Sequence, residues 1–132
     1  MVLQHISGLR KSAQSSGRPV DFNGTWLNEL GSELHLEVDG QGRVTGTFQT
    51  AVGAPQPTQK FEVTGFVAGD VLAFCVNFGA YASLSSWVGQ HTVEDGNEVI
   101  KAMWLLGRDI KDADEPTDLW SAVLTGASNF RR

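Results

Sequence analysis

The sequence predicts an all-β protein, an eight-stranded antiparallel up-and-down β-barrel formed by residues 21–132. Apolar and polar residues alternate with period two along most of this range, as in strands that bury one face. Short links containing glycine separate the alternating segments, as antiparallel hairpins require. A meander of this kind usually closes into a barrel, because closure removes exposed edges and encloses an interior for one small ligand.

The alternation divides the chain into consecutive strands. They are predicted at residues 24–28, 33–38, 43–50, 60–67, 71–78, 82–90, 97–106 and 120–128. Three of the links between them, at residues 39–42, 68–70 and 94–96, place glycine where a turn needs a positive φ. In the second strand the even-numbered residues from Leu34 to Val38 are apolar and the odd-numbered ones are polar. The even-numbered residues of that strand are therefore predicted to face the interior.

Length and charge limit the classes of function. A chain of 132 residues fits one domain, and a net charge of −5 with only 10 lysines and arginines argues against a nucleic-acid or membrane partner. Residues 1–20 lack the apolar run of a signal peptide or a membrane span, so we expect a mobile N-terminal arm there. Cys75 is the single cysteine and cannot form an intrachain disulfide. These limits favour a function located in a pocket.

Uncharged polar residues interrupt the predicted inward rows and stand beside aromatic ones. They are Asn28, Ser32, Thr50, Ser83, Ser85 and Ser128. An aromatic box with a few hydroxyl and amide groups suits a small neutral ligand that forms hydrogen bonds. No acid or base is predicted to face inward, which argues against an enzyme. The histidines lie in the arm (His5), on an outward position (His35) and at a strand end (His91), so neither a metal site nor a general base is expected.

The run GTWLNELGS at residues 24–32 resembles the first-strand signature of the avidin and streptavidin family of biotin-binding proteins. Residues 45–53 are similar to the family's third strand and lid loop, residues 83–90 to its Ser-x-Thr-x-Trp-x-Gly-Gln strand, and residues 103–106 and 120–130 to its last two strands. The likeness covers residues 23–130, with all pieces in order. It implies high-affinity, non-catalytic binding of biotin in the open end of the barrel, with biotin as a ligand and no cofactor.

The resemblance implies a role for each polar group around the ureido ring of biotin. Asn28 and Ser32 align with two donors to the ureido oxygen, and Phe48 stands where the family has a third donor, a tyrosine. Thr50 and Ser128 align with the acceptors of the ureido N–H groups. Asn129 would replace Ser128 only if the last strand ended in a bulge.

The rest of the ligand is expected to contact a second group of residues. Ser85 aligns beside the thioether sulfur, while Ser83 and the backbone N–H of Ala54 would receive the valerate carboxylate. The aromatic walls that the resemblance implies are Phe78, Trp87, Trp104 and Trp120. The further expected contacts are Leu30, Val52, Gly53 and Leu106.

In the family the residue at Trp120 is lent to the site of a neighbouring subunit, which implies a homo-oligomer and most simply a tetramer. The analogy also implies secretion, although this chain carries no signal peptide. Two alternatives stand beside this interpretation. The inward aromatic residues are also what an ordinary core would contain, and a calycin-like carrier of another small apolar ligand would share the barrel.

Overall fold

The computed structural model describes residues 19–51 and 59–132. In this part of the chain eight antiparallel strands form one closed barrel, with each strand paired to its sequence neighbours and the last paired to the first. The strands are β1 (Gly24–Asn28), β2 (Glu33–Val38), β3 (Arg43–Gln49), β4 (Lys60–Ala68), β5 (Val71–Phe78), β6 (Ser83–Glu94), β7 (Asn97–Arg108) and β8 (Val123–Arg131). The predicted up-and-down barrel is confirmed.

The β6–β7 hairpin is longer than the alternation indicated. Its strands pair from Ser83↔Arg108 to Glu94↔Asn97, around a turn in which Asp95 and Gly96 both have positive φ (53° and 79°). Two such residues form the type I′ turn whose twist matches the strands, so pairing continues up to the turn. His91 therefore lies within β6, and its predicted position at a strand end is wrong.

The start of β8 also differs from the prediction. Three short helical segments, Asp112–Asp114, Glu115–Asp118 and Leu119–Ala122, precede the strand, which begins at Val123. Pro116 lies in the first turn of the middle segment, where its fixed φ favours a helix start. Trp120 is consequently on a helical turn and not in the strand. No helix within residues 19–51 and 59–132 has the length and apolar character needed to cross a membrane.

The core fills the end of the barrel at which the β2–β3, β4–β5 and β6–β7 hairpins turn. The fully buried side chains at this end include Phe22, Leu36, Val44, Leu72, Val99 and Ile100. The indole N–H of Trp26 donates to the carbonyl of Phe22 over 3.0 Å, which draws the segment before β1 over this end. Val20 packs against the same core, and the rest of the predicted arm, residues 1–18, lies outside the described residues. This end of the barrel is closed by packing.

Candidate functional site

Most of the residues predicted to bind a ligand lie at the opposite end of the barrel, called the mouth below. Odd-numbered strands end there and even-numbered strands begin there. Asn28 and Phe78 are the last residues of β1 and β5, and Phe48 is the last but one of β3. Ser83 and Ser85 lie at the start of β6. Antiparallel order therefore brings residues far apart in sequence to one mouth. Polar and aromatic groups face each other across it.

An aromatic wall lines this half of the interior. The ring centroids of Phe48 lie 6.1 Å from Phe78 and 5.3 Å from Trp87, and Phe74 stacks on Trp87 at 5.0 Å. Phe48 and Trp87 are buried, whereas Phe78 remains half-exposed toward the mouth. The Trp87 Nε1–H is buried without a hydrogen-bond partner among the described residues. A donor left in this way costs stability until a ligand or water satisfies it.

Trp104 extends the wall from β7 and lies directly over Gly126 of β8. The two residues are cross-strand partners, and a Cβ atom at Gly126 would come within 2.4 Å of the Trp104 ring. Only a residue without a side chain leaves space for the indole in this orientation. Gly126 thereby fixes the position of Trp104 at the site.

The side chain of Asn28 is oriented by the turn that follows it. Its Oδ1 accepts hydrogen bonds from the backbone N–H groups of Leu30 (3.0 Å) and Ser32 (2.9 Å). Gly31 adopts the left-handed conformation that this turn needs, with a φ of 84°. Because the amide oxygen is occupied, the Asn28 Nδ2 hydrogens remain as donors for a further partner.

Ser32 has its polarity fixed in a similar way. Its Oγ, in a residue only 1% exposed, accepts the backbone N–H of Ala51 at 2.9 Å. A hydroxyl that already accepts this bond keeps its own hydrogen for donation. Asn28 and Ser32 therefore present two donors at the same mouth, close together because both belong to the β1–β2 turn.

Ser128 has the opposite polarity. It is buried on β8 opposite Ala102, and its hydroxyl donates to the carboxylate of Glu29 over 3.4 Å. The hydroxyl lone pairs remain available to accept. β8 pairs without a bulge from Val123 to Arg131, so Ser128 and not Asn129 occupies the inward row.

Three other predicted residues line the mouth. Thr50 is buried just after β3, and Ser85 is buried and donates to the carbonyl of Leu105 over 3.4 Å. Ser83 is half-buried at the start of β6. They add hydroxyl groups, and no charge, to the lining of the barrel at this end.

The structure does not bring every predicted residue into the site. Leu30 is 58% exposed on the turn and Trp120 is 78% exposed, so neither covers the mouth of its own barrel. Leu106 is half-buried at the end of β7. Val52, Gly53 and Ala54 lie outside the described residues.

Glu29 is the residue at this mouth that sequence reasoning missed. The signal was present, because the acid directly follows Asn28 in the GTWLNELGS run, but the side chain lies on a turn that alternation does not orient. Among residues 19–51 and 59–132 no three His, Cys, Asp or Glu side chains are grouped as metal ligands. The arrangement suits hydrogen bonding to a small polar ring held between aromatic walls.

Comparison with known proteins agrees with this geometry. The Avidin family model matches residues 16–132. Avidin of Gallus gallus is 31% identical over 126 residues, which cover 89% of this chain and 81% of that protein. The crystal structure of xenavidin superimposes with a TM-score of 0.74 at 30% identity, covering 87% of this chain and 99% of the other. A biotin-binding protein from chicken gives a TM-score of 0.75 at 28% identity, covering 88% and 98%.

Proposed function

This chain belongs to the avidin family, and on that premise we propose that it binds biotin tightly in the open end of its barrel. Proteins of this family bind biotin and do not transform it. The proposal includes no cofactor and no catalytic residue. The proposal depends on which groups at the mouth donate and which accept hydrogen bonds.

The fixed polarity of three side chains is the observation that carries the proposal. A cyclic urea has one acceptor, its carbonyl oxygen, flanked by N–H donors. Asn28 Nδ2 and the Ser32 hydroxyl offer hydrogens to that oxygen, while Ser128 offers lone pairs to an N–H. Thr50 is assigned to the other N–H by its buried position beside this set. The donors and acceptors of the ligand then meet complementary groups.

Pre-organisation accounts for tight binding in this proposal. Asn28, Ser32 and Ser128 are each held by an intramolecular hydrogen bond before a ligand arrives. The closed barrel fixes their backbones, so little rotamer entropy is lost on binding. The aromatic wall of Phe48, Trp87 and Trp104 would cover the faces of the ligand ring. Ser85 is assigned to the thioether sulfur and Ser83 to the valerate carboxylate.

We further propose that the protein acts as a homotetramer. The outward face of β4 and β6–β8 carries a group of exposed apolar side chains: Phe66, Leu84, Val88, Met103, Leu105 and Val123. The outward face of β1–β3 is polar by comparison, with Thr25, Glu33, His35, Glu37, Thr45 and Thr47. A large apolar face on one side of a soluble barrel favours burial against a second copy. Trp120, exposed at the rim, is the side chain that a neighbour would receive.

A thermal-shift measurement tests the proposed ligand against the alternative class of carrier. Biotin is expected to raise the melting temperature of the full chain, because a ligand that binds only the folded state stabilises it. Dodecanoate, which offers an apolar chain without a cyclic urea, is the comparison ligand. A rise with dodecanoate and none with biotin would contradict the proposal.

A further inference from the structure

Glu29 makes two contacts that link distant parts of the chain at the mouth. Its Oε2 accepts the backbone N–H of Asn129 at 2.9 Å and the hydroxyl of Ser128 at 3.4 Å, across 100 and 99 residues of sequence. Glu29 itself is exposed on the β1–β2 turn, whereas Ser128 is 5% exposed inside the barrel. An exposed carboxylate thus reaches a buried hydroxyl.

These contacts occur where the barrel closes. β1 and β8 pair only through Leu27↔Arg131 and Asn28↔Phe130, the shortest ladder of the barrel. Glu29 is the next residue after that ladder, and its side chain takes the N–H of Asn129 in place of a further backbone pair. The backbone bond holds the carboxylate at a set position beside Ser128.

We propose that Glu29 is a positioning residue that keeps Ser128 as a hydrogen-bond acceptor and so selects ligands with an N–H at that point. This inference rests on the proposed function. A carboxylate has lone pairs and no hydrogen, so the single hydrogen of the Ser128 hydroxyl is directed toward Glu29. The side of Ser128 that faces the interior then presents lone pairs.

The consequence is discrimination between ligands of similar shape. A ring N–H meets an acceptor at Ser128, whereas an ether oxygen or an N-methyl group in the same place meets lone pairs and leaves a buried group unsatisfied. Without Glu29 the hydroxyl can rotate and donate inward, so the preference weakens. A residue outside the cavity would thereby set the specificity within it.

A double-mutant cycle tests whether Glu29 acts through Ser128 or only holds the barrel closed. Dissociation rates of biotin are measured for the unmodified protein, Glu29→Ala, Ser128→Ala and the double variant. Glu33→Ala on β2 is the control, because it removes one negative charge as Glu29→Ala does. We expect each single variant to speed dissociation about tenfold and the double variant to be no faster than Ser128→Ala. Glu33→Ala should leave the rate unchanged.

A purely structural role would give a different pattern. The effects of Glu29→Ala and Ser128→Ala would then multiply, or Glu29→Ala would lower the melting temperature of the ligand-free protein without changing the rate. Either result would overturn the inference alone. Failure of the unmodified protein to bind biotin would instead overturn the proposed function and this inference together.

Discussion

The guanidinium of Arg132 lies 4.1 Å from the centroid of the Trp26 ring and covers the end of the barrel opposite the mouth. The same group donates to the carbonyls of Asn23 and Asp21, at 2.8 and 2.6 Å, and to both carboxylate oxygens of Glu98. The last residue of the chain thus holds the segment that leads into β1. With Glu29 at the other end, charged side chains secure both ends of the short β1–β8 ladder.

Glu98 should make the stability of the barrel depend on acid pH. The hydrogen bond from Arg132, followed by that from His91, lowers the pKa of Glu98 from 4.5 to about 2 against the opposing effect of burial. A depressed pKa stabilises the fold above the unfolded-state value, and this contribution is lost as pH falls from 4.5 toward 2. We expect Glu98→Gln to be less stable than the unmodified protein at neutral pH. The free energies of unfolding of the two proteins should converge as the pH falls toward 2.

Unfolding by denaturant, followed across this pH range, measures the effect. Glu37→Gln, at an exposed position on β2, is the matched control and should retain the full pH dependence. If the free energy of unfolding changed with pH equally in Glu98→Gln and in the unmodified protein, the contact between Glu98 and Arg132 would not be the source of the pH dependence.

Phe48→Tyr is expected to strengthen biotin binding. Phe48 is buried between Phe78 and Trp87 at the position where the family resemblance implies a third donor to the ureido oxygen. A phenol in the same volume adds a hydrogen bond worth roughly 1–3 kcal/mol, or about one to two decades in affinity. Off-rates of a fluorescent biotin should fall, and Val93→Thr, which adds a hydroxyl at an exposed position near the closed end, should leave them unchanged. A faster off-rate in Phe48→Tyr would mean that the ring does not face the ureido oxygen.

Trp120→Lys tests the assembly and the shared site together. Trp120 is fixed on its helical turn by Ser121, whose hydroxyl donates to the carbonyl of Asp118 at 2.8 Å and whose own carbonyl accepts from Arg108 at 2.9 Å. A lysine there places a charge in the proposed subunit contact, where desolvation is costly. We expect weaker biotin binding and a smaller particle by light scattering. Val93→Lys, on the hairpin at the closed end, is the control, and a monomer for the unmodified protein would contradict the tetramer.

Gly126→Ala should disturb the site without adding charge or much volume. The new methyl group would overlap the Trp104 ring, so either the indole or β8 must move. Overpacking of this kind costs about 1–3 kcal/mol of stability, so we expect the melting temperature to fall by several degrees. Biotin should also dissociate faster. Gly107→Ala is the control, because a Cβ there reaches no closer than 4.0 Å to the carbonyl oxygen of Leu84. Equal effects of the two substitutions would show that Trp104 is not held by Gly126.

The sequence could predict the number, order and inward parity of the strands because alternation reports burial directly. Ser32, Phe48, Ser85 and Trp87 are buried as the alternation indicated. The start of β8 was not predictable in this way, because Trp120 and Ala122 fit the alternating pattern equally well on a helical turn. Local hydrogen bonds at Ser121 decide between the two conformations, and period two does not encode them.

The family resemblance implied which groups at the mouth donate and which accept, but the alternation of residues could not supply the contacts that orient them. Asn28 is oriented by the backbone N–H groups of the turn that follows it, whereas Ser128 is oriented by Glu29, which folding brings from the other end of the chain. The contact of Trp26 with Arg132 is of the same kind, since only barrel closure places the first strand beside the last residue. Pattern identifies the groups of a site, and tertiary contacts orient them.

Calorimetric titration of the full chain with biotin tests the central claim most directly. Three side chains of fixed polarity and a pre-formed aromatic wall predict an exothermic, saturable binding curve with one biotin per chain. Binding should be largely enthalpic, because the hydrogen bonds form in a site that is already ordered. No heat of binding at micromolar biotin would contradict the assignment of this cavity to a cyclic urea.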